Sequence, residues 1–139
     1  MSELLEKILS DENIALAQKR VYANKGASGV DGVTVQELAG YMQENWTRIK
    51  GEIRERKYKP QPVLRVEIPK ESGGVRKLGI PNVIDRVIEQ AMTQVLSPIW
   101  EPLFHDHSYG FRPNRSCEQA ILKLQEYFRL SHKFYGIMD

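Results

Sequence analysis

The sequence has little cysteine, since Cys117 is the only one among 139 residues. A single cysteine cannot form a disulfide within the chain, which is typical of proteins from reducing compartments. Long apolar runs are also missing, and the N-terminal stretch MSELLEKILSDEN is too acidic and too interrupted for a signal peptide. These absences predict a soluble, cytoplasmic protein without a membrane partner.

Patterns typical of common catalytic and metal sites are missing as well. No Ser/His/Asp set, Cys/His pair or pair of carboxylates at helical spacing stands out. His105 and His107 flank Asp106, but the further ligands of a closed zinc site are not present. The glycine-rich stretch NKGASGVDG could present backbone N–H groups to an anion, yet it lacks the spacing of a P-loop or a dinucleotide fingerprint. We therefore expect no tightly bound metal on this chain.

The sequence does have an uneven distribution of charge. The net charge is only +2, but residues 50–86 contain ten Lys or Arg against five Asp or Glu. A local basic stretch in a nearly neutral chain favours a surface that faces phosphates. The length fits one domain, and the 41% hydrophobic content is enough for a core.

Hydrophobic periodicity predicts an α+β domain with five helices and one hairpin. The predicted helices cover residues 2–9, 11–26, 34 to about 59, 82–97 and 116 onward. Asp11 is predicted to be the N-cap of the second helix, and the pairs Thr34–Glu37 and Ser116–Gln119 are predicted capping boxes. The third helix is predicted to end at Pro60 and Pro62. Asn82 is predicted to cap the fourth helix, and Ser97-Pro98 to break it. Apolar spacing predicts that the fourth helix is the main core element. In the fifth helix, the residues predicted to face inward are Ala120, Ile121, Leu124 and Phe128. The final stretch FYGIMD is predicted to be a buried strand.

The hairpin is predicted from two extended segments, residues 63–68 and 75–80, joined by the turn ESGG. Lys70, Arg76 and Lys77 flank this turn, so their charges converge near its tip. Several cations around adjacent oxygens suit a polyphosphate. Lysines that keep an exposed hairpin soluble are the alternative interpretation.

The stretch SYGFRPNRS combines aromatic and guanidinium groups on a turn-prone segment. Arg112 and Arg115 could neutralise backbone phosphates while Tyr109 or Phe111 packs against a base or sugar. In the alternative, Phe111 fills the core and the arginines are only solvated. We expect this stretch and the hairpin cations to line a common groove.

Taken in order, these segments resemble the N-terminal third of bacterial group II intron reverse transcriptases (maturases). The similarity runs from about Leu16 to Asp139 and rests on three motifs in the right order and spacing. They are NKGASGVDGVT, RKYKPQPVLRVEIPKESGGVRKLGIPNVIDRVIEQA and HDHSYGFRPNRSCEQAI. The resemblance implies a right-hand polymerase fold, of which residues 1–139 supply the N-terminal extension, the fingers and the first strand of the palm.

The resemblance also implies roles for individual residues. Lys70 and Arg76, with Arg65 as a further candidate, match positions that contact the triphosphate of the incoming nucleotide. Asn24, Lys25 and Gly26 match a loop that contacts template or template–primer backbone, and so do Tyr109, Arg112 and Arg115. Asp139 matches the palm strand that carries the first catalytic, Mg²⁺-binding aspartate, in either of two registers.

In the resembled family a second carboxylate block, the palm remainder, the thumb and the maturase region follow, and no Asp-Asp dipeptide occurs in this sequence. We therefore expect part of an RNA-directed DNA polymerase that would use Mg²⁺, intron or template RNA, a DNA primer and dNTPs. The chain alone is expected to be inactive in synthesis, which leaves its status as an enzyme open. There are two alternatives. One is a stand-alone RNA-binding module, and the other is a fragment that self-associates into a homo-oligomer through its palm-facing surface.

Overall fold

A computed structural model describes residues 2–135, with side chains described for residues 2–131. It divides into two compact units, one up to Ser97 and one from Pro98 onward. The elements are α1 (Glu3–Ile8), α2 (Asp11–Asn24), α3 (Leu38–Arg54), β1 (Leu64–Pro69), β2 (Val75–Ile80), α4 (Val83–Trp100), a 3₁₀ turn (Glu101–Leu103) and α5 (Cys117–Tyr135). The fold is therefore α+β, as predicted. None of the helices described in this part of the chain has the length and apolarity needed to cross a membrane.

The first unit is built around a core contributed mainly by three helices. Apolar residues three or four positions apart along α2, α3 and α4 form one buried cluster, which places one face of each helix inward. The largest of these contributions comes from α4, as predicted, and its buried members are Val83, Ile84, Val87, Ala91 and Val95. Asn13 ties α2 to α4, because its side-chain amide donates to the backbone oxygen of Ala91 at 3.0 Å.

The two strands form an antiparallel hairpin in which Leu64 pairs with Ile80 and Pro69 with Val75. The turn closes where the N–H of Lys70 donates to Gly74 and the N–H of Gly73 donates to Lys70. Gly73 and Gly74 have φ of 87° and 83°, a conformation that the glycines of the predicted ESGG turn adopt without steric cost. Most of the hairpin is exposed on both faces.

Several helix boundaries differ from the prediction. Asp11 is the first residue of α2, and Ser10 occupies the N-cap position. Thr34 and Glu37 do exchange the predicted reciprocal hydrogen bonds, but they close a turn, and α3 begins only at Leu38. This helix ends at Arg54, ahead of Pro60 and Pro62, because the backbone turns left-handed at Arg56 with φ of 59°.

The predicted break of the fourth helix at Ser97-Pro98 is wrong, since α4 continues through Pro98 to Trp100. A proline removes one hydrogen bond to the carbonyl four residues earlier. Because only two helical residues follow Pro98, the helix loses little by containing it.

The prediction for α5 is confirmed at its start and wrong about its inward face. Ser116 and Gln119 form the predicted capping box, with both reciprocal hydrogen bonds at 3.2 Å. Ile121, Leu124 and Phe128 are exposed, because no described part of this unit covers that side of the helix. Phe134 and Tyr135 belong to α5 and not to the predicted strand, the rest of which lies outside the described residues.

Candidate functional site

The hairpin tip carries two exposed cations on one face. Arg76 pairs directly with Ile68, and alternation along the strand brings Lys70 to the same face as Ile68. Within the residues that the structure describes, neither Lys70 nor Arg76 has a carboxylate within salt-bridge distance. Two positive charges without acidic partners are therefore available to a polyanion at this tip.

Arg65 and Lys77 lie on the opposite face of the hairpin. Arg65 pairs with Gly79 and Lys77 with Glu67, so the strand register separates both from Lys70 and Arg76. The structure thus groups two of the three predicted nucleotide-binding residues, and a role for Arg65 beside them stays a prediction.

The glycine-rich loop that follows α2 docks on the start of α4. Lys25 and Gly26 have φ of 55° and 104°, so the chain leaves the helix through two left-handed residues. Gly29 packs against Asn82, where an added Cβ would lie 2.7 Å from the Asn82 nitrogen and 2.8 Å from its Cα. The Asn82 side-chain oxygen, predicted to cap α4, accepts a hydrogen bond from the backbone N–H of Asp31 at 3.4 Å.

Arg86 fastens the same loop, a role that sequence reasoning missed. Its guanidinium donates a short hydrogen bond to the backbone oxygen of Ala27 and lies against Gly26. The Nε atom of Arg86 is buried without a hydrogen-bond partner among the described residues. A cleft of about 260 Å³ adjoins this contact and is lined in part by Asn24, Lys25 and Arg86. Two predicted RNA-binding residues therefore lie beside an unpredicted arginine.

The segment that leads into the hairpin is also fixed to α4. Asp85 is buried, accepts a hydrogen bond from the Tyr58 hydroxyl at 2.5 Å and another from the Gln61 backbone at 3.3 Å. Burial, followed by the hydrogen bond to Asp85, raises the pKa of the Tyr58 hydroxyl above its ordinary value. Because both this segment and the glycine-rich loop attach to the first turns of α4, the base of the hairpin and the loop are neighbours.

In the second unit, Arg112 is an internal support of its loop. Its guanidinium makes two hydrogen bonds to one Glu101 oxygen, at 2.9 and 3.0 Å, and two more to the backbone oxygens of His105 and Ser108. The side chain is only 8% exposed and stacks on Phe104. These contacts occupy the donors that the predicted phosphate contact would need.

Arg115 also contacts its own loop, through fewer hydrogen bonds than Arg112, whereas Phe111 is exposed. Arg115 donates to the backbone oxygen of Asp106 at 2.6 Å and lies 5.2 Å above the ring of Tyr109. Phe111 is fully exposed, so the alternative in which it fills the core is wrong. Its backbone is left-handed, with φ of 56°.

Residues of the suspected metal motif bond to their neighbours. His107 contacts the Tyr127 hydroxyl at 2.8 Å, and its backbone N–H donates to His105 Nδ1 at 3.1 Å. In the part of the chain that the structure describes, no three His, Cys, Asp or Glu side chains form a group that could hold a metal. Asp139 lies outside this part, and the common groove between hairpin and loop stays a prediction.

Residues 68–136 match the family described as reverse transcriptase (RNA-dependent DNA polymerase). Over this stretch, about half of its length, the chain is similar to reverse transcriptases. The match begins within β1 and includes the hairpin tip, α4 and the SYGFRPNRS loop, so Lys70, Arg76 and the aromatic and basic residues of that loop all lie inside the matched region.

Similar proteins indicate which group of reverse transcriptases the chain resembles. Protein YkfC of Escherichia coli K12 is 41% identical over 129 residues, which are 90% of this chain and 34% of that protein. The group II intron-encoded protein LtrA of Lactococcus lactis subsp. cremoris is 36% identical over 128 residues, 91% of this chain and 21% of LtrA. A putative COX1/OXI3 intron 1 protein of Saccharomyces cerevisiae is 30% identical over 136 residues, 98% of this chain and 16% of that protein.

The predicted resemblance to the N-terminal region of group II intron reverse transcriptases is therefore confirmed. The chain spans about a third or less of the length of these relatives. Reverse transcriptases generally use Mg²⁺, and the described residues contain no set of ligands that fits it.

Proposed function

We propose that this chain is the N-terminal part of a right-hand RNA-directed DNA polymerase encoded by a group II intron. Residues 1–139 would supply the fingers and the first palm strand of that polymerase. The polymerase would use Mg²⁺, a primer and dNTPs, and the part described here binds template RNA and the incoming nucleotide. The match of residues 68–136 to reverse transcriptases and the similarity to an intron-encoded relative support this assignment.

One observation carries the proposal. Lys70 and Arg76 share one face at the tip of an exposed, glycine-turned hairpin, and no described carboxylate neutralises them. A triphosphate carries several adjacent negative oxygens, which two converging cations can bind together. In the proposed enzyme these two side chains hold the triphosphate of the incoming nucleotide.

The glycine-rich loop contributes a second contact, to RNA backbone. The cleft beside Arg86 is lined in part by Asn24 and Lys25, and Gly26 adjoins it. The left-handed turn at Lys25 and Gly26 holds this surface in place. Phosphate contacts of this kind position a strand without reading its sequence.

The nucleotide role is tested in an intact polymerase that carries this region. Replacing Lys70 and Arg76 together by alanine should raise the KM for dNTP by roughly ten-fold or more, since each charged hydrogen bond contributes about 1.5–3 kcal/mol. Lys77→Ala is the matched control, because it removes one charge from the opposite face of the same hairpin. An unchanged KM in the double variant, or an equal rise in the control, would remove the assigned role.

Exposed apolar residues on α5 favour one further candidate, a self-associating fragment. Ile121, Leu122, Leu124 and Phe128 are each more than half exposed. Apolar surface of this kind is commonly covered by another protein surface. Sedimentation of the 139-residue chain across a range of concentrations, together with RNA titration at several salt concentrations, separates the two candidates. A monomer whose RNA binding weakens steeply with salt supports the polymerase part. A stable oligomer without RNA binding supports the alternative.

A further inference from the structure

One aromatic side chain of the second unit takes no part in packing among the described residues. Phe111 is fully exposed, although an apolar ring of this size is ordinarily buried at least in part. It is also the only exposed large apolar residue that the structure describes between Phe104 and Ile121. Within residues 105–120, the loop therefore presents a single large apolar side chain to solvent.

The backbone at Phe111 is held in an unfavourable conformation. A φ of 56° is left-handed, and a bulky residue rarely adopts it. Such strain persists only where the surrounding structure enforces it, and it is concentrated at functional positions. Relaxing the turn would move the ring, so the strained backbone and the exposed ring belong together.

Two arginines enforce this conformation from inside the loop. Arg112 follows Phe111 directly and makes four hydrogen bonds, to Glu101, His105 and Ser108. Arg115 donates to the backbone of Asp106 and covers Tyr109. Because the Arg112 guanidinium is occupied within the unit and Tyr109 lies beneath Arg115, Phe111 is the ring that this loop leaves available.

We propose that Phe111 stacks on a nucleobase of an unpaired RNA strand and that Arg112 and Arg115 position the ring instead of binding phosphate. The proposal rests on the function proposed above and names the contact that the SYGFRPNRS loop makes. Every base has a π-face, so an exposed ring can bind single-stranded RNA without regard to sequence.

The surroundings of Phe111 favour a base over a protein surface as its partner. Gly110, Pro113 and Asn114 are exposed neighbours without a large apolar side chain, whereas protein-binding sites are usually contiguous apolar patches. The residues on either side of the ring along the chain add no second exposed ring, and one ring matches the size of one base. Because the loop is already fixed, little conformational freedom is lost when the base stacks.

The test measures RNA binding by the 139-residue chain with a fluorescently labelled, unstructured RNA of about 15 nucleotides, a length that covers a typical single-strand site. Phe111→Ala should weaken binding by roughly 5- to 150-fold, the range expected when one stacked base is lost. Phe111→Trp should bind as tightly as the unmodified chain or more tightly, since its larger ring preserves stacking. Leu103→Ala is the matched control, because this large apolar side chain is 70% exposed in the same unit.

Phe111→Gly separates RNA binding from folding. Glycine adopts φ of 56° without strain, so this variant should unfold at the same or a higher denaturant concentration while its RNA affinity falls as in Phe111→Ala. A double-stranded RNA of the same length is the second probe, because its paired bases offer no free face. We expect substitution of Phe111 to change duplex binding much less than single-strand binding.

Each result supports or overturns the stacking contact. If the unmodified chain binds RNA with a steep salt dependence but Phe111→Ala binds equally well, stacking is overturned and the proposed function stands. Equal losses on single-strand and duplex RNA, or a change in oligomeric state at unchanged RNA affinity, also overturn it. A complete lack of RNA binding by the unmodified chain at low salt overturns both proposals.

Discussion

At the scale of single residues, the largest change from the predicted site concerns Arg112. The sequence pairs it with Arg115 as a phosphate contact, but the structure surrounds its guanidinium with Glu101 and two backbone oxygens. No sequence signal identifies Glu101 as the partner, because it lies eleven residues earlier, beyond an intervening turn. An arginine in a polar motif is as well suited to hold a loop as to bind a ligand.

The two roles of Arg112 give opposite predictions for Glu101. If Arg112 holds the loop, Glu101→Ala should loosen residues 105–116 and weaken RNA binding, in the same direction as Arg112→Ala. If Arg112 binds phosphate, removing Glu101 would free its charge and strengthen binding. We expect the first result, and we expect Arg112→Lys to behave like Arg112→Ala, since lysine cannot reproduce the four hydrogen bonds. Hydrogen exchange of the loop amides together with RNA titration measures both effects, and Arg129→Ala on α5 is the control.

Gly29 provides a second test at this scale, on the glycine-rich loop. A Cβ at this position would meet the backbone of Asn82, which cannot move without displacing the start of α4. Gly29→Ala should therefore lower the free energy of unfolding by about 1–3 kcal/mol. Gly40→Ala is the matched control, because Gly40 lies within α3 with open space around it and alanine favours a helix by about 0.5–1 kcal/mol. Denaturant titration should shift the two midpoints in opposite directions, and parallel shifts would contradict this packing.

At the scale of elements, contacts that are local in sequence were predictable and contacts between distant segments were not. The hairpin, its glycine turn and the Ser116–Gln119 capping box depend on residues a few positions apart, and all three are confirmed. The end of α3 depends on the left-handed residue Arg56, a conformation for which arginine gives no warning. The exposure of α5 could not be predicted, because its apolar spacing is the same whether or not another surface covers it.

Two hydrogen bonds to Asp85 hold the segment between α3 and β1, and the strength of the one donated by Tyr58 varies with pH. Burial and the contact with Asp85 raise the pKa of the Tyr58 hydroxyl. Because the folded pKa is higher than the unfolded value of about 10, the stability from neutral Tyr58 is complete below pH about 10 and is lost as pH rises from there through the folded pKa.

Tyr58→Phe tests this contact. At neutral pH it should lower the free energy of unfolding by about 1–3 kcal/mol, because Asp85 stays buried and loses a donor. Above pH 10 the variant should lose stability less steeply than the unmodified chain. Tyr22→Phe, at an exposed position of α2, is the control and should follow the unmodified chain. Identical pH profiles for Tyr58→Phe and the unmodified chain would show that the hydroxyl titrates normally.

At the scale of the whole molecule, the family and the α+β class follow from the sequence, whereas the arrangement of the site follows only in part. Lys70 and Arg76 lie together as expected because a hairpin fixes their register. Arg65 falls on the other face for the same reason, since it lies an odd number of positions from Lys70. Arg86 was missed because its partner, Ala27, is 59 positions away and offers only a backbone oxygen.

Synthesis by the 139-residue polypeptide itself would depend on catalytic metal ions. Nucleotidyl transfer in this family requires two Mg²⁺ ions held between carboxylates from separate palm strands. The described residues hold no group of carboxylates that could bind a metal, and the sequence contains no Asp-Asp dipeptide. We therefore expect the purified chain to bind RNA but to extend no primer, with Mg²⁺ or Mn²⁺, above the level of a no-protein control.

Primer extension on an RNA template with radiolabelled dNTP measures this directly. The Asp139→Ala variant is the control for a contaminating polymerase, because it removes the predicted metal-binding carboxylate and activity that survives it does not arise from the chain. Template-dependent extension that disappears in the variant would contradict the prediction and would require a catalytic metal site formed by Asp139 together with residues of a second chain.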